Sequence, residues 1–263
     1  MIDTHCHLNF NAYDTMRADL LAEAAEHGIT RLINPGIDLE SSRAGIALAE
    51  EFEGVFAAVG VHPNDTTTFQ PDHINTLRTL AAHPKVVAIG EIGLDYYRDR
   101  APKEVQQAAF EAQLVLAAEL ALPVIIHNRE ASADVLDILG KWVATLPPAL
   151  QDRPGVLHSF SDPAEGVAER ALEMGFYLGF TGPVTFKKAE GLRAVARRVP
   201  DDRILIETDG PFLTPHPHRG KFPNRPAYVR FVAERLAEER NTDLETFTEQ
   251  TTANATRLFK LPE

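Results

Sequence analysis

Val124-Ile125-Ile126-His127 is the stretch that decides the fold. Three apolar residues without alternation suit a strand covered on both faces, and a histidine closes the run. The same sentence is written again along the chain. Met1–Thr4 runs into His5 and His7, Val55–Val61 into His62, and Val86–Ile89 into Gly90-Glu91. Val156-Leu157 runs into His158, and Ile204–Ile206 into Glu207-Thr208-Asp209. Ile29–Asn34 and Phe176–Phe180 complete eight apolar runs, near residues 2, 30, 56, 87, 124, 156, 177 and 205.

Between these runs the period changes from two towards 3.6. Leu20, Leu21, Ala24 and Ala25 follow Asp14 and stop at Gly28, where a helix C-terminus is expected. Asp38–Phe52, Asp72–Ala82, Pro102–Leu120, Ala133–Leu139 and Ala189–Arg198 read as helices, with Gly140 stopping the fourth of them. A further helix begins near Pro163 and stops at Gly175. The proline-rich loop Thr214–Pro226 delays the last repeat, after which Tyr228–Arg240 and two shorter helices close the chain. Strand–helix alternation favours a parallel sheet. Eight repeats in 263 residues favour a closed (β/α)8 TIM-type barrel, one domain over residues 1–263, above an open doubly wound sheet. No G-x-G-x-x-G fingerprint follows the first strand.

The formal charge of −12 speaks against a broad basic face that coats duplex nucleic acid. One cysteine permits no internal disulfide and fits a reducing compartment. Neither a signal peptide nor an apolar run of membrane-spanning length is visible. The expectation is a cytoplasmic protein with no membrane contact and no obligate protein partner.

Chemistry gathers where the runs end. Singly, a histidine after an apolar run is ordinarily a packed residue, and a lone strand-end carboxylate is a helix cap or a solvated charge. Six ends bearing His, Glu or Asp are different, because a barrel brings its carboxyl ends into one ring. His5, His7, His127 and His158 with Glu91 and Asp209 exceed the three protein ligands typical of one catalytic zinc, so two divalent ions are expected. Glu91 is the natural bridge; His5, His7 and Asp209 then hold one ion, and His127 and His158 the other. Two ions less two carboxylates leave a charge of about +2, suited to a phosphate. Imidazole-rich ligation favours zinc or manganese over magnesium. Cys6 points away from its flanking histidines and reads as a packing residue. His27, His73, His83, His216 and His218 fall outside the ring.

Asp3-Thr4-His5-Cys6-His7-Leu8, Gly60-Val61-His62-Pro63 and Gly90-Glu91-Ile92-Gly93-Leu94-Asp95-Tyr96-Tyr97 resemble the TatD family of metal-dependent deoxyribonucleases. So do Val156-Leu157-His158-Ser159-Phe160, Thr181–Lys187, Glu207-Thr208-Asp209-Gly210-Pro211 and the loop Pro217–Pro226. The resemblance spans Met1 to about Phe259 and implies a divalent-metal (β/α)8 hydrolase of DNA phosphodiesters, with 3′–5′ exonuclease action on single strands. It implies the same six metal ligands. Ser159 stands where many members have Cys, Gly210 where many have Ser, and Asn9 where Asp is common.

Within that frame Asp209 is the expected general base, Glu91 the shared ligand, and His62 a contact to substrate phosphate. Arg129, Arg219 and Lys221 are candidates for flanking phosphates, and Tyr96, Tyr97 and Phe212 for stacking on unpaired bases. The expected partner is single-stranded DNA or strand ends. An aminoacyl ester, as in a D-aminoacyl-tRNA deacylase, is the rival substrate. A catalytically silent nucleic-acid-binding barrel is the rival from another class.

Overall fold

A computed structural model describes residues 1–98 and 100–262. Eight strands lie in one sheet in chain order: β1 Ile2–Asp3, β2 Arg31–Pro35, β3 Val55–Val59, β4 Val86–Asp95, β5 Val124–Arg129, β6 Gly155–Leu157, β7 Tyr177–Phe180 and β8 Ile204–Ile206. All seven neighbouring pairs are parallel. The seam between β8 and β1 is closed by backbone bonds beyond the strands. Thr4 N–H donates to Ile206 O, Asp209 N–H to His5 O and His7 N–H to Gly210 O. The architecture is the (β/α)8 barrel expected from the alternation.

The helices that alternate with the strands are α1 Arg17–Glu26, α2 Leu39–Glu51, α3 Pro71–Ala81, α4 Lys103–Leu120, α5 Ser132–Val143, the single turn α6 Pro148–Gln151, α7 Val167–Glu173, α8 Glu190–Arg198, α9 Val229–Glu239 and α10 Leu244–Phe259. Asp38 caps α2 by accepting from Ser41 N–H, which is why that helix starts where the sequence places it. Three expectations fail. Gly140 does not stop α5, which continues to Val143 because Trp142 and Leu139 remain on its buried face. The helix expected near Pro163 starts only at Val167. The two short C-terminal helices are one helix of 16 residues, α10, held by burial of Phe247, Leu258 and Phe259.

Alternation along the strands sorts side chains into two layers. Ile204 and Ile206 pack outward under the helices, while Leu205 points into the barrel. Val124 and Ile126 likewise face out and Ile125 in. Ile2, Ile33, Phe56, Val87, Ile125, Val156, Tyr177 and Leu205 fill the interior, and Leu258 and Phe259 of α10 cover its lower mouth. The barrel is therefore solid below, and chemistry is confined to its upper, carboxyl-end rim.

Candidate metal centre

The period of two carries each histidine inward. Ile125 is inside, so His127 follows it there; Val156 is inside, and so is His158. Glu91 needs more. Val86–Asp95 is ten residues long, so Glu91 lies within β4 and not at its end, which corrects the sequence expectation. Ile89 pairs with Val124 and Ile92 with Ile126, so three steps of β4 stand against two of β5. The extra residue lets Ile89 and Ile92 both pack outward while Glu91 turns inward. His127 also lies inside its strand, β5, and His62 follows β3 by three residues.

Four atoms converge in one group. His5 Nε2 is 3.3 Å from His7 Nε2, 3.4 Å from Glu91 Oε2 and 3.7 Å from Asp209 Oδ1. His7 Nε2 is 3.5 Å from the same Glu91 oxygen and 3.6 Å from the same Asp209 oxygen. His5 Nε2, His7 Nε2 and Glu91 Oε2 make a triangle with sides of 3.3, 3.4 and 3.5 Å, the size of one face of a tetrahedral site whose centre lies about 2.1 Å from each donor, and Asp209 groups with His5 on its other side. The other carboxylate oxygen of Glu91 serves a second group: Oε1 is 2.8 Å from His127 Nδ1, 2.8 Å from His158 Nε2 and 3.6 Å from His62 Nε2. The donor set fits divalent cations. Imidazole lone pairs and carboxylate oxygens crowded together, with His5 stacked on His158 at 3.8 Å, repel one another unless a cation or protons lie between them.

The electrostatics follow. Burial, then the neighbouring imidazolium of His158, lowers His5 to about 4; burial lowers His7 and His62 to about 3. These rings are neutral near pH 7, the state that binds metal. Burial, and then the charge of Glu91, pushes the Asp209 carboxyl up to about 7 against the pull of His158. For His158 burial works downward, but Glu91 and Glu207 together hold its pKa well above the ordinary range.

Three carboxylates brace the ring: Asp3, which backs His5 and His7 in the sequence, and Asp95 and Glu207, to which the sequence reading assigned no role. Asp95 Oδ2 lies 3.2 Å from His127 Nε2, and Asp95 is itself held by N–H donors from Tyr97 and Arg98 and by Asn64 Nδ2. Glu207 accepts Ser159 N–H at 2.9 Å and stands 3.6 Å from His158 Nδ1. Asp3 accepts Thr208 N–H and Oγ1–H and the N–H of His5, tying the β1 end to the β8 end. The signal for Glu207 was present: it precedes Asp209 by two, so both share a face.

The ring floors a cleft of about 690 Å3 lined by His7, His62, Glu91, His127, His158 and Asp209. Arg129 lines it too, with its guanidinium over the Tyr97 ring at 4.0 Å. Phe212 lines it, and so do Arg98 and Arg100, which the sequence reading missed although two cations follow β4 directly. Arg219 packs on Phe186, and Lys221 sits 3.3 Å from His218; neither lines the cleft. Tyr96 is turned away, donating its hydroxyl to Asp134 and accepting from Gln107. Cys6 is fully buried in the outer core, as its position between the histidines implies. Among the described residues no helix is long and apolar enough to cross a membrane.

Comparison with known proteins agrees with this geometry. Residues 2–260 match the sequence profile of the family described as TatD related DNase. The chain is 43% identical over 261 residues to a Bacillus subtilis protein named uncharacterized metal-dependent hydrolase YabD, covering 99% of each. It is 37% identical over 263 residues to a Cronobacter sakazakii protein named 3′-5′ ssDNA/RNA exonuclease TatD, covering 98% of this chain and 97% of that one. The crystal structure of YJJV, a TatD homolog from Escherichia coli K12, superposes with a TM-score of 0.92 at 32% identity, covering 100% of this chain and 98% of that one.

Proposed function

The chain belongs to the TatD related DNase family of metal-dependent hydrolases, and from that premise we propose that it hydrolyses phosphodiester bonds at the ends of single-stranded DNA with two divalent ions in the ring. The observation that carries the two-ion reading is the split of Glu91: Oε2 faces His5 and His7, and Oε1 faces His127 and His158. His5, His7, Glu91 and Asp209 would hold one ion, and Glu91, His127 and His158 the other. Bound divalent ions supply a water of lowered pKa and offset the charge of the phosphate.

The chain's own groups do the rest. Asp209, at about 16% side-chain exposure, is the ring carboxylate most open to the cleft and accepts the proton of the attacking water. His62 is a donor and not a ligand. Its Nδ1 accepts Asn64 N–H at 3.0 Å, so the neutral ring carries its proton on Nε2, which stands 3.6 Å from Glu91 Oε1 at the floor of the cleft. That N–H is available to a phosphate oxygen. Arg129 supplies a further fixed charge at the rim. The Cronobacter relative, named a 3′-5′ ssDNA/RNA exonuclease, supports digestion from 3′ ends, and the single buried cysteine suits a cytoplasmic setting.

The test is release of nucleotides from a 5′-labelled single strand with Mn, Zn or Mg supplied in turn. The expected result is metal-dependent shortening from the 3′ end that is lost with a chelator and with Asp209→Asn. No release with any of the three metals would overturn the proposal.

A further inference from the structure

Opposite walls of the cleft have opposite chemistry, and this follows from topology. Strands that run in order around a barrel place the β4 and β5 ends across from the β8 and β1 ends. The β4–β5 wall carries Arg98, Arg100 and Arg129, three cations at one rim of a chain whose net charge is −12. Asp65 also lines the cleft and offsets part of the charge of Arg100. The β8–β1 wall carries phenyl rings. His7 of the ring stacks on Phe10 at 4.6 Å and 20°; Phe10 meets Phe212 edge-on at 6.1 Å; Phe212 lies 6.4 Å from Phe222. The row thus leads from the metal centre out to solvent. Phe212 is 47% exposed and Phe222 67%, so two neighbouring rings are open to a ligand.

We propose that Phe10, Phe212 and Phe222 form a base-stacking subsite for the unpaired nucleotides next to the scissile bond, with the arginine wall receiving their phosphates. The proposal rests on the phosphodiesterase reading above and adds the element that selects single strands. A single strand exposes both faces of its bases to phenyl rings while its phosphates turn to the other wall. A duplex presents stacked bases already covered by their neighbours, so it meets the arginines but not the row. The row contributes no reacting group; Phe10, Phe212 and Phe222 are binding residues.

The test separates bases from backbone and does not require turnover. Binding of fluorescent phosphorothioate-linked strands of about 12 nucleotides, one of thymidine and one of abasic sugar, is measured by anisotropy on the metal-loaded protein. The expected result for the wild type is thymidine binding tighter than abasic by about 5- to 100-fold. In Phe212→Ala/Phe222→Ala that ratio falls towards one, and in Phe222→Trp it is kept. Both variants alter exposed side chains, and an unchanged melting transition establishes that they fold. A ratio near one in the wild type, or an undiminished ratio in the double variant, overturns the subsite. Absence of cleavage with the base preference intact would instead count against the phosphodiesterase reading alone.

Discussion

Oδ2 of Asp95 lies 3.2 Å from Nε2 of His127, on the ring edge opposite the nitrogen that faces Glu91. A carboxylate behind an imidazole fixes its orientation and raises its basicity towards a metal. Burial works against the charge on Asp95, yet the bonds from His127 and from Arg98 N–H hold its carboxyl well below the usual range. Asp95→Asn should therefore weaken metal binding by about 10- to 100-fold. Metal-buffered titration reads this directly; unchanged affinity would mean that His127 is oriented by other contacts.

Metal affinity should rise with pH between about 5.5 and 8. The Asp209 carboxyl is raised to about 7, first by burial and then by Glu91, and His158 and His127 are raised as well. A cation must displace these protons. The stability of the stripped protein runs in the opposite sense. In stripped protein a raised carboxyl contributes stability fully present below its unfolded pKa near 4, and loses it as pH climbs through about 7. Metal removes that loss, so the melting-temperature gap between loaded and chelator-treated protein should widen with pH. A gap constant over this window would contradict the assignment of Asp209 as a ligand.

On the proposed reading His62 contacts the phosphate, although it stands beside Glu91 and His127 in the second donor group. Since its Nδ1 accepts Asn64 N–H, His62→Ala should raise KM for a phosphodiester by about tenfold while bound metal is retained. Loss of stoichiometric metal in His62→Ala would make His62 a ligand instead.

Gly179 leaves room for a carboxylate. A Cβ there would lie 1.9 Å from Glu207 Oε1, so Gly179→Ala must push Glu207 off Ser159 N–H and disturb His158. Activity should fall at least tenfold, with a stability loss of about 1–3 kcal/mol. Steady-state rates and thermal melts on the same preparation check both; wild-type rates would show that His158 does not depend on Glu207.

The barrel was legible because buried parallel strands are continuous apolar runs, and eight of them are hard to mistake. Their histidines were legible because a strand's period fixes which way the next residue points. The end of β4 was not. Gly90-Glu91-Ile92-Gly93-Leu94-Asp95 breaks the apolar run with small and charged residues, yet its backbone keeps pairing with β5 as far as Arg129. Helix α10 was obscured by threonines of low propensity and is held by tertiary burial, which overrides propensity. Asp95 and Glu207 acquire their roles only through distances across strands, which no spacing in one strand reveals. Gly210, noted as a departure from the family pattern, has a local reason: a Cβ there would meet Tyr13 Oη at 2.5 Å and Cys6 Sγ at 2.9 Å.

The account stands on Glu91 as a carboxylate shared between two ions. The most direct measurement is an anomalous scattering map from crystals grown with manganese or zinc, together with the metal content of the dissolved protein. Two peaks are predicted, one beside His5 and His7 and one beside His127 and His158, each within bonding distance of a different Glu91 oxygen. A single peak, or two peaks that Glu91 does not join, would contradict it.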